Sequence, residues 1–445
     1  MKRNIEALPW SVRRESDIRG AVERNQGRGE MGLDHSSAVA PKSAISRHWL
    51  DLERVRVYSI AMLLIYGVLM VLWAWESKGF TSDRIVRPGG DYSVFWSASY
   101  LALKGDAAKV YDYASLKPVI MAFGSMKGGA NFFLPWLYPP TFLLLVMPLS
   151  LLPFVLSYLL FICGTAVMYM AAIFRILDIR VVPRHVVLLP VVAFPGAIEA
   201  AMIGQNSFLT AGVAAWSLIH LRGRPVLAGI LIGLLSVKPQ LAVVFPVAML
   251  ADRAWKTFFI AAATAIVMAA SSVGLFGWEA MSGFLENSSL FREQLLEQGR
   301  NGWYSSPTAF AMMRLAGAPV ALAYGAQAAC AIFAIIALLK VWSGQTSMEL
   351  RIAAVATATL LVSPYLWYYE LTWLGIAIAG MAIDGMRRGW KKGERELLLA
   401  AWLLPFLLGV NRVAELPQAG AVVTLLLMAA ILRRARSGAG SNSVR

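Results

Sequence analysis

The chain has 445 residues, of which 58% are hydrophobic and only 15% charged, where soluble domains carry roughly 25% charged residues. Its mean hydropathy is +0.60, and apolar runs of the roughly 17–25 residues that cross a bilayer as a helix recur along it, which excludes an ordinary soluble protein. The net charge of +15 reads as Lys and Arg gathered in cytoplasmic loops, and no motif of a nucleic-acid fold accompanies it.

Residues 1–56 are polar, mix both charge signs and include Gly/Ser-rich stretches such as NQGRGEMGLDHSSAVAP. They read as a disordered cytoplasmic tail, with no short apolar core and cleavage site of a signal peptide. The first span, 57–75, is uncharged and follows Arg47, Arg54 and Arg56, which places the N-terminus inside. A long outside loop, 76–131, comes next. Further spans are expected at 132–150, 153–174, 186–203, 207–221, 226–249 and 257–275. A second long outside loop covers 276–317, and spans follow at 318–342, 350–364, 365–384, 396–410 and 419–432. A short cytoplasmic tail, 433–445, closes the chain.

The expected fold is therefore an all-α polytopic membrane protein. A bundle of about twelve transmembrane helices occupies residues 57–432, with both termini inside and two long extracytoplasmic loops. Basic clusters at Arg253 and Lys256, at Arg387 to Arg395 and at Arg433 to Arg436 fall inside, as they should. Two short loops break the rule: Arg175, Arg180 and Arg184, and Arg222 with Arg224, come out on the outer side. No internal repeat of the kind common in secondary transporters is visible.

Cys163 and Cys330 both fall within apolar spans, and the four histidines form no HxxxH or HExxH pattern. Neither a disulfide framework nor a metal site is expected, and no cofactor.

The chemistry-bearing residues start with Asp91. Pro88-Gly89-Gly90 ends any preceding helix, and Tyr92, Phe95, Trp96, Tyr100 and Leu103 then recur at helical spacing. That pattern predicts an interfacial, aromatic amphipathic helix, and Asp91 can be its N-cap, a fixed carboxylate, or both. Inside the spans stand Glu199, Lys238 and Glu370, and a charge in the hydrocarbon core usually marks a cavity or a partner. Glu199 and Lys238 could simply pair with each other. Lys238 precedes Pro239, which bends a helix and frees carbonyls. Gln205 and Asn206 follow Gly204 at a helix break and can be polar glue between helices or ligands of substrate. In LLVSPYLWYYELTWL, residues 360–374, an aromatic belt accounts for the rings but not for Glu370 among them.

Five blocks, GGDYSVFWSASYLALKGDAAKVYDY, LYPPTFLLLVMPLSLLP, GQNSFLTAG, RPVLAGILIGLLSVKPQ and LLVSPYLWYYEL, together resemble glycosyltransferase family 87, and its alphaproteobacterial members most. The resemblance runs in order from residue 57 to about 375. It implies the GT-C superfamily of membrane transferases that take sugars, some of them mannose, from polyprenyl phosphates. It implies too that the aspartate of the first extracytoplasmic loop, here Asp91, is the general base, with inversion at the sugar carbon. A carboxylate follows the PYxxxY block in similar sequences, usually Asp; here it is Glu370. Within these blocks Tyr138, Gln205, Asn206, Lys238, Gln240, Tyr369 and Glu370 are the candidate substrate-binding residues, and Lys238, Arg292 and Arg300 the candidate phosphate partners.

The chemistry suits one outside carboxylate. A glycosidase needs a second acid to protonate a poor leaving group, whereas phosphate leaves as a stabilised anion and asks only for a base and for cations. No Asp-x-Asp pair is present to hold a nucleotide diphosphate through a metal, the nearest match being Asp51-Leu-Glu53, and both long loops between spans are expected outside. The expected partners are a polyprenyl-phosphate sugar, a glycolipid or polysaccharide acceptor and membrane lipids. The expected location is the bacterial inner membrane, with the active site facing the periplasm. A multi-spanning lipid or solute transporter is the alternative, and a non-catalytic subunit of envelope assembly a third reading.

Overall fold

A computed structural model describes residues 48–81, 87–123, 133–178, 180, 182–299 and 302–440, and Trp49–Arg445 forms one compact unit. Every regular element among the described residues is helical. Arg300 and residues 1–47 of the expected tail lie outside the described residues.

The first helix, α1 (Leu52–Glu76), begins where the Asp51 carboxylate accepts the Arg54 N–H at 2.9 Å. Its 25 residues rise about 37 Å, and only Ser59, Met62 and Tyr66 are buried. Leu64, Val68, Val71 and Trp75 face outward, a surface fit for lipid rather than water.

The expected first loop is largely structured, holding α2 (Tyr92–Leu103), a 3-10 turn Ala107–Tyr111 and α3 (Tyr113–Phe123). Helix α2 is buried on all sides from Tyr92 to Ala102 except at Tyr100, so it is not the amphipathic interfacial helix expected. A helix apolar all round is a core helix. Tyr92 packs against Phe154 and Phe161, and Phe95 against Trp136, Tyr138 and Phe142. Pro139-Pro140 starts α4 (Pro140–Val146), a favoured place for proline because its missing N–H has no partner there anyway. The segment continues as a 3-10 turn to Leu151. This apolar stretch, expected to cross, folds back under α2: the Trp96 indole donates to Leu152 O at 3.0 Å and the Ser99 hydroxyl to Met147 O at 2.6 Å.

Next come α5 (Phe154–Ile176), α6 (Arg184–Val192), α7 (Pro195–Ile203) and α8 (Ser207–His220). The expected span 226–249 is not one helix. It is α9 (Pro225–Leu234), a 3-10 turn, then α10 (Pro239–Ala242) and α11 (Val244–Ala251), broken at Lys238 where Pro239 starts a new helix. Then follow α12 (Trp255–Phe276), α13 (Trp278–Phe291), a π-helical turn Arg292–Glu297 and α14 (Ala309–Leu315). The second expected loop is thus also mostly helical. The chain ends with α15 (Val320–Ser343), α16 (Met348–Val362), α17 (Leu374–Arg388), α18 (Glu394–Ala414) and α19 (Gly420–Gly440). Helix α16 is buried at every residue from Leu350 to Leu361.

By length and composition α1, α5, α12 and α15 can each cross a membrane, and the pair α6 and α7, bent by 50°, would make a fifth span. The ion pairs correct the expected sidedness of two turns. Asp178 meets Arg387 at 2.5 Å, and Asp252 meets both Arg222 at 3.2 Å and Arg351 at 2.7 Å. The turns after α5 and α8 therefore lie at the same end as the Arg387 cluster, not opposite it. At that end Arg434, buried, joins Asp384 of α17 at 2.7 Å and Glu394 of α18 at 2.6 Å.

Candidate active site

The site forms where two breaks in helical structure meet. Helix α7 ends at Gly204 in the left-handed region (φ +83°), a backbone shape that glycine adopts without strain. The carbonyls thus freed at its last turn are taken by the segment before α2: Gly89 N–H donates to Met202 O at 2.9 Å and Asp91 N–H to Ile203 O at 3.0 Å. The approach is close enough that a Cβ on Gly204 would stand 2.6 Å from the Tyr92 Cβ and 3.0 Å from the Gly89 Cα. Tyr158 locks the joint by donating to Ala201 O at 2.6 Å.

This docking aims the Asp91 side chain. Asp91 precedes α2, but its carboxylate makes no cap hydrogen bond, contrary to the N-cap expectation. Instead Oδ2 accepts from Gln205 Nε2 at 2.7 Å. The amide's orientation follows from its other contacts. The Asn206 backbone N–H, which can only donate, meets the Gln205 side-chain oxygen at 3.3 Å, and the Tyr138 hydroxyl reaches the same oxygen at 3.2 Å. The opposite atom is then the NH2, and it faces Asp91. Tyr138 is itself placed by Tyr111, whose hydroxyl donates to the Tyr138 carbonyl at 3.0 Å.

The adjacent amide serves a second array. Lys238, at the break between α9 and α10, donates to Asn206 Oδ1 at 3.2 Å and to Glu370 Oε1 in a direct ion pair. All three are deeply buried, at 0%, 7% and 2% exposure for Asn206, Lys238 and Glu370. Glu370 sits in a 3-10 turn, Tyr368–Trp373, held against α7 by the Thr372 hydroxyl, which donates to Gly196 O at 2.7 Å. The Lys238 ammonium also lies over the rings of Tyr138 and Tyr369, 5.4 and 5.7 Å from their centroids, an arrangement that favours a cation. The expected Glu199–Lys238 pair does not form: Glu199 accepts from Tyr66 of α1 at 2.9 Å.

Beside these arrays a cavity of about 350 Å³ is lined by Tyr138, Lys238, Gln240, Arg292, Tyr369 and Glu370, six of the expected substrate residues. Asp91 and Gln205 are linked to this cavity through Tyr138, whose hydroxyl donates to the Gln205 amide that holds Asp91. Arg292 is 62% exposed, with Glu297 at 3.6 Å. Sequence reasoning missed several walls of this cavity: Trp136, Asn287, Tyr324, Tyr365 and Trp367. Tyr365 and Trp367 were within reach, since they share a block with Glu370 and the Trp367 indole donates to the Tyr365 hydroxyl at 3.0 Å. Asn287, which donates to Tyr111 O at 2.6 Å, carried no signal in its α13 surroundings.

The family model of glycosyltransferase family 87 matches residues 136–364, just over half of the chain. Tyr138, Gln205, Asn206 and Lys238 lie within the match, while Asp91 and Glu370 flank it. No curated protein and no solved structure matches the chain.

Proposed function

The chain belongs to glycosyltransferase family 87, and from that premise we propose that it transfers a sugar from a polyprenyl phosphate to an envelope glycolipid or polysaccharide. Family membership makes it a membrane glycosyltransferase, which requires a sugar donor and an acceptor. The finer reading places the reaction at the periplasmic face of a bacterial inner membrane, with mannose the first sugar to test. The chain would cross about twelve times, the two arms on either side of Lys238 each counting as a passage.

In this reading Asp91 is the general base. It takes the proton of an acceptor hydroxyl as that oxygen attacks the anomeric carbon. The bond from that carbon to the phosphate oxygen breaks, its electron pair leaves with the phosphate, and the sugar carbon inverts. The observation that carries the assignment is the Asp91–Gln205 hydrogen bond, which fixes the carboxylate in place beside Tyr138. Gln205 acts through Asp91 rather than on substrate.

Phosphate as leaving group asks for cations. Lys238 has its charge met by Glu370, so Arg292, more exposed on the cavity wall, is the better-placed partner for an incoming phosphate. Arg300 remains a candidate outside the described residues. The aromatic walls suit the faces of a sugar ring and the first isoprene units, and Gln240 adds an amide. The transporter reading has no observation of its own to favour it.

The test is transfer by the purified protein from a panel of polyprenyl-phosphate hexoses, beside the matching nucleotide sugars without lipid carrier. Product from a polyprenyl-phosphate hexose alone is expected. Efficient transfer directly from a nucleotide sugar would overturn the donor assignment.

A further inference from the structure

Two polar atoms of the Lys238 array are left over. Glu370 Oε2 and Asn206 Nδ2 are buried and have no hydrogen-bond partner, although the other polar atom of each side chain is bound to the same ammonium. One is an acceptor and the other a donor. An ammonium carries three N–H donors, and two of those on Lys238 are used. The array thus holds an unused carboxylate oxygen, an unused amide N–H and a third ammonium N–H on three side chains joined through one ammonium. Glu370 and Lys238 line the 350 Å³ cavity, and the rings of Tyr138 and Tyr369 stand on the same wall.

Leaving such atoms unmet is costly in a buried site, and the cost is recovered only when a ligand supplies partners. An apolar ligand supplies none, and a bare anion would be repelled by the Glu370 oxygen. A hydroxyl group, able to donate to Glu370 and to accept from Asn206 or Lys238, supplies both. Aromatic faces beside clustered hydroxyl partners suit a ring that is apolar on its C–H face and polar at its rim.

We propose that Asn206, Lys238 and Glu370 form the subsite that reads the ring hydroxyls of a hexose, and so choose which sugar is transferred. The proposal rests on the reading of this cavity as the sugar site. It divides labour between neighbours: Gln205 holds the base, while the next residue, Asn206, holds the sugar. A site built to bond a hydroxyl discriminates strongly against a ligand lacking it, because its own buried groups are then left unpaired. An aromatic wall alone tells epimers apart weakly.

The test reads binding, so it does not depend on the donor's carrier. Trp136 and Trp367 line the cavity, and their fluorescence in the full-length protein reports occupancy by methyl mannoside, glucoside and galactoside and by the monodeoxy forms of each. One epimer is expected to bind best, and removal of at least one hydroxyl from it to weaken binding by about tenfold or more. The double substitution Lys238→Met with Glu370→Leu removes both charges at once, a change buried ion pairs generally tolerate, and should abolish the discrimination. Equal binding of all epimers and deoxy forms by the unaltered protein overturns the proposal, as does discrimination that survives the double substitution. Binding of none of these glycosides overturns it too, since ordered water would then be what satisfies the two atoms. If the sugars bind selectively while polyprenyl-phosphate sugars prove not to be donors, the subsite stands and the donor reading falls.

Discussion

Gly204→Ala tests the joint on which the whole site depends. An L-residue in the left-handed region costs about 1–2 kcal/mol. The new Cβ would also stand 2.6 Å from the Tyr92 Cβ and 3.0 Å from the Gly89 Cα, against the roughly 3.5–4.0 Å at which carbons rest. Gly89 meets the methyl through its backbone and cannot swing aside, so α7 and the start of α2 must part by about half an ångström to an ångström. Overpacking of this kind costs about 1–3 kcal/mol, which brings the expected loss of stability to about 2–5 kcal/mol. The same movement lengthens the bonds from Gly89 and Asp91 to the end of α7, and Gln205 is the next residue along. A misplacement of about an ångström can lower turnover about 10²-fold. The assay is thermal unfolding of the purified protein together with sugar transfer from the polyprenyl-phosphate panel. Gly223→Ala is the control, because a Cβ there meets nothing within 4 Å. A Gly204→Ala protein with unaltered midpoint and turnover would refute the reasoning.

Three further outcomes are expected. Asp91→Asn keeps an oxygen for Gln205 and costs α2 no cap, so it should fold normally while turnover drops about 10²–10⁴-fold; near-normal turnover removes Asp91 as the base. Gln205→Met keeps the length but loses the bond to Asp91, so kcat should fall by about tenfold or more with the donor KM little changed; a raised KM at unchanged kcat would make Gln205 a substrate ligand instead. Single cysteines replacing the exposed Ala108 and Ser288, in a protein lacking Cys163 and Cys330, should react with an impermeant thiol reagent from outside, and one replacing the exposed Ser343 only after permeabilisation; the reverse pattern inverts the proposed topology.

Helices stand within each expected span because hydropathy and proline act locally. A run of apolar residues satisfies its own backbone wherever it lies, and Pro139-Pro140, Pro195, Pro225 and Pro239 each open a helix from their position alone. Asp91, Lys238 and Glu370 were legible for a related reason, since a charge beside or within an apolar run stands out without knowledge of its neighbours. Pairing was not legible. Lys238 meets Glu370, 132 positions away, and not Glu199, while Asp91 meets Gln205 across 114 positions and does not cap the helix it precedes. Ion pairs and hydrogen bonds act over a few ångströms of space, and several carboxylates along the chain were equally plausible until packing brought one of them close. The same holds for crossing. The stretches at 132–150 and 226–249 each look like one span by composition, yet α2 covers the first and the Lys238 break divides the second into two arms. Composition establishes that a segment is apolar, but only the surrounding helices decide whether lipid or protein covers it.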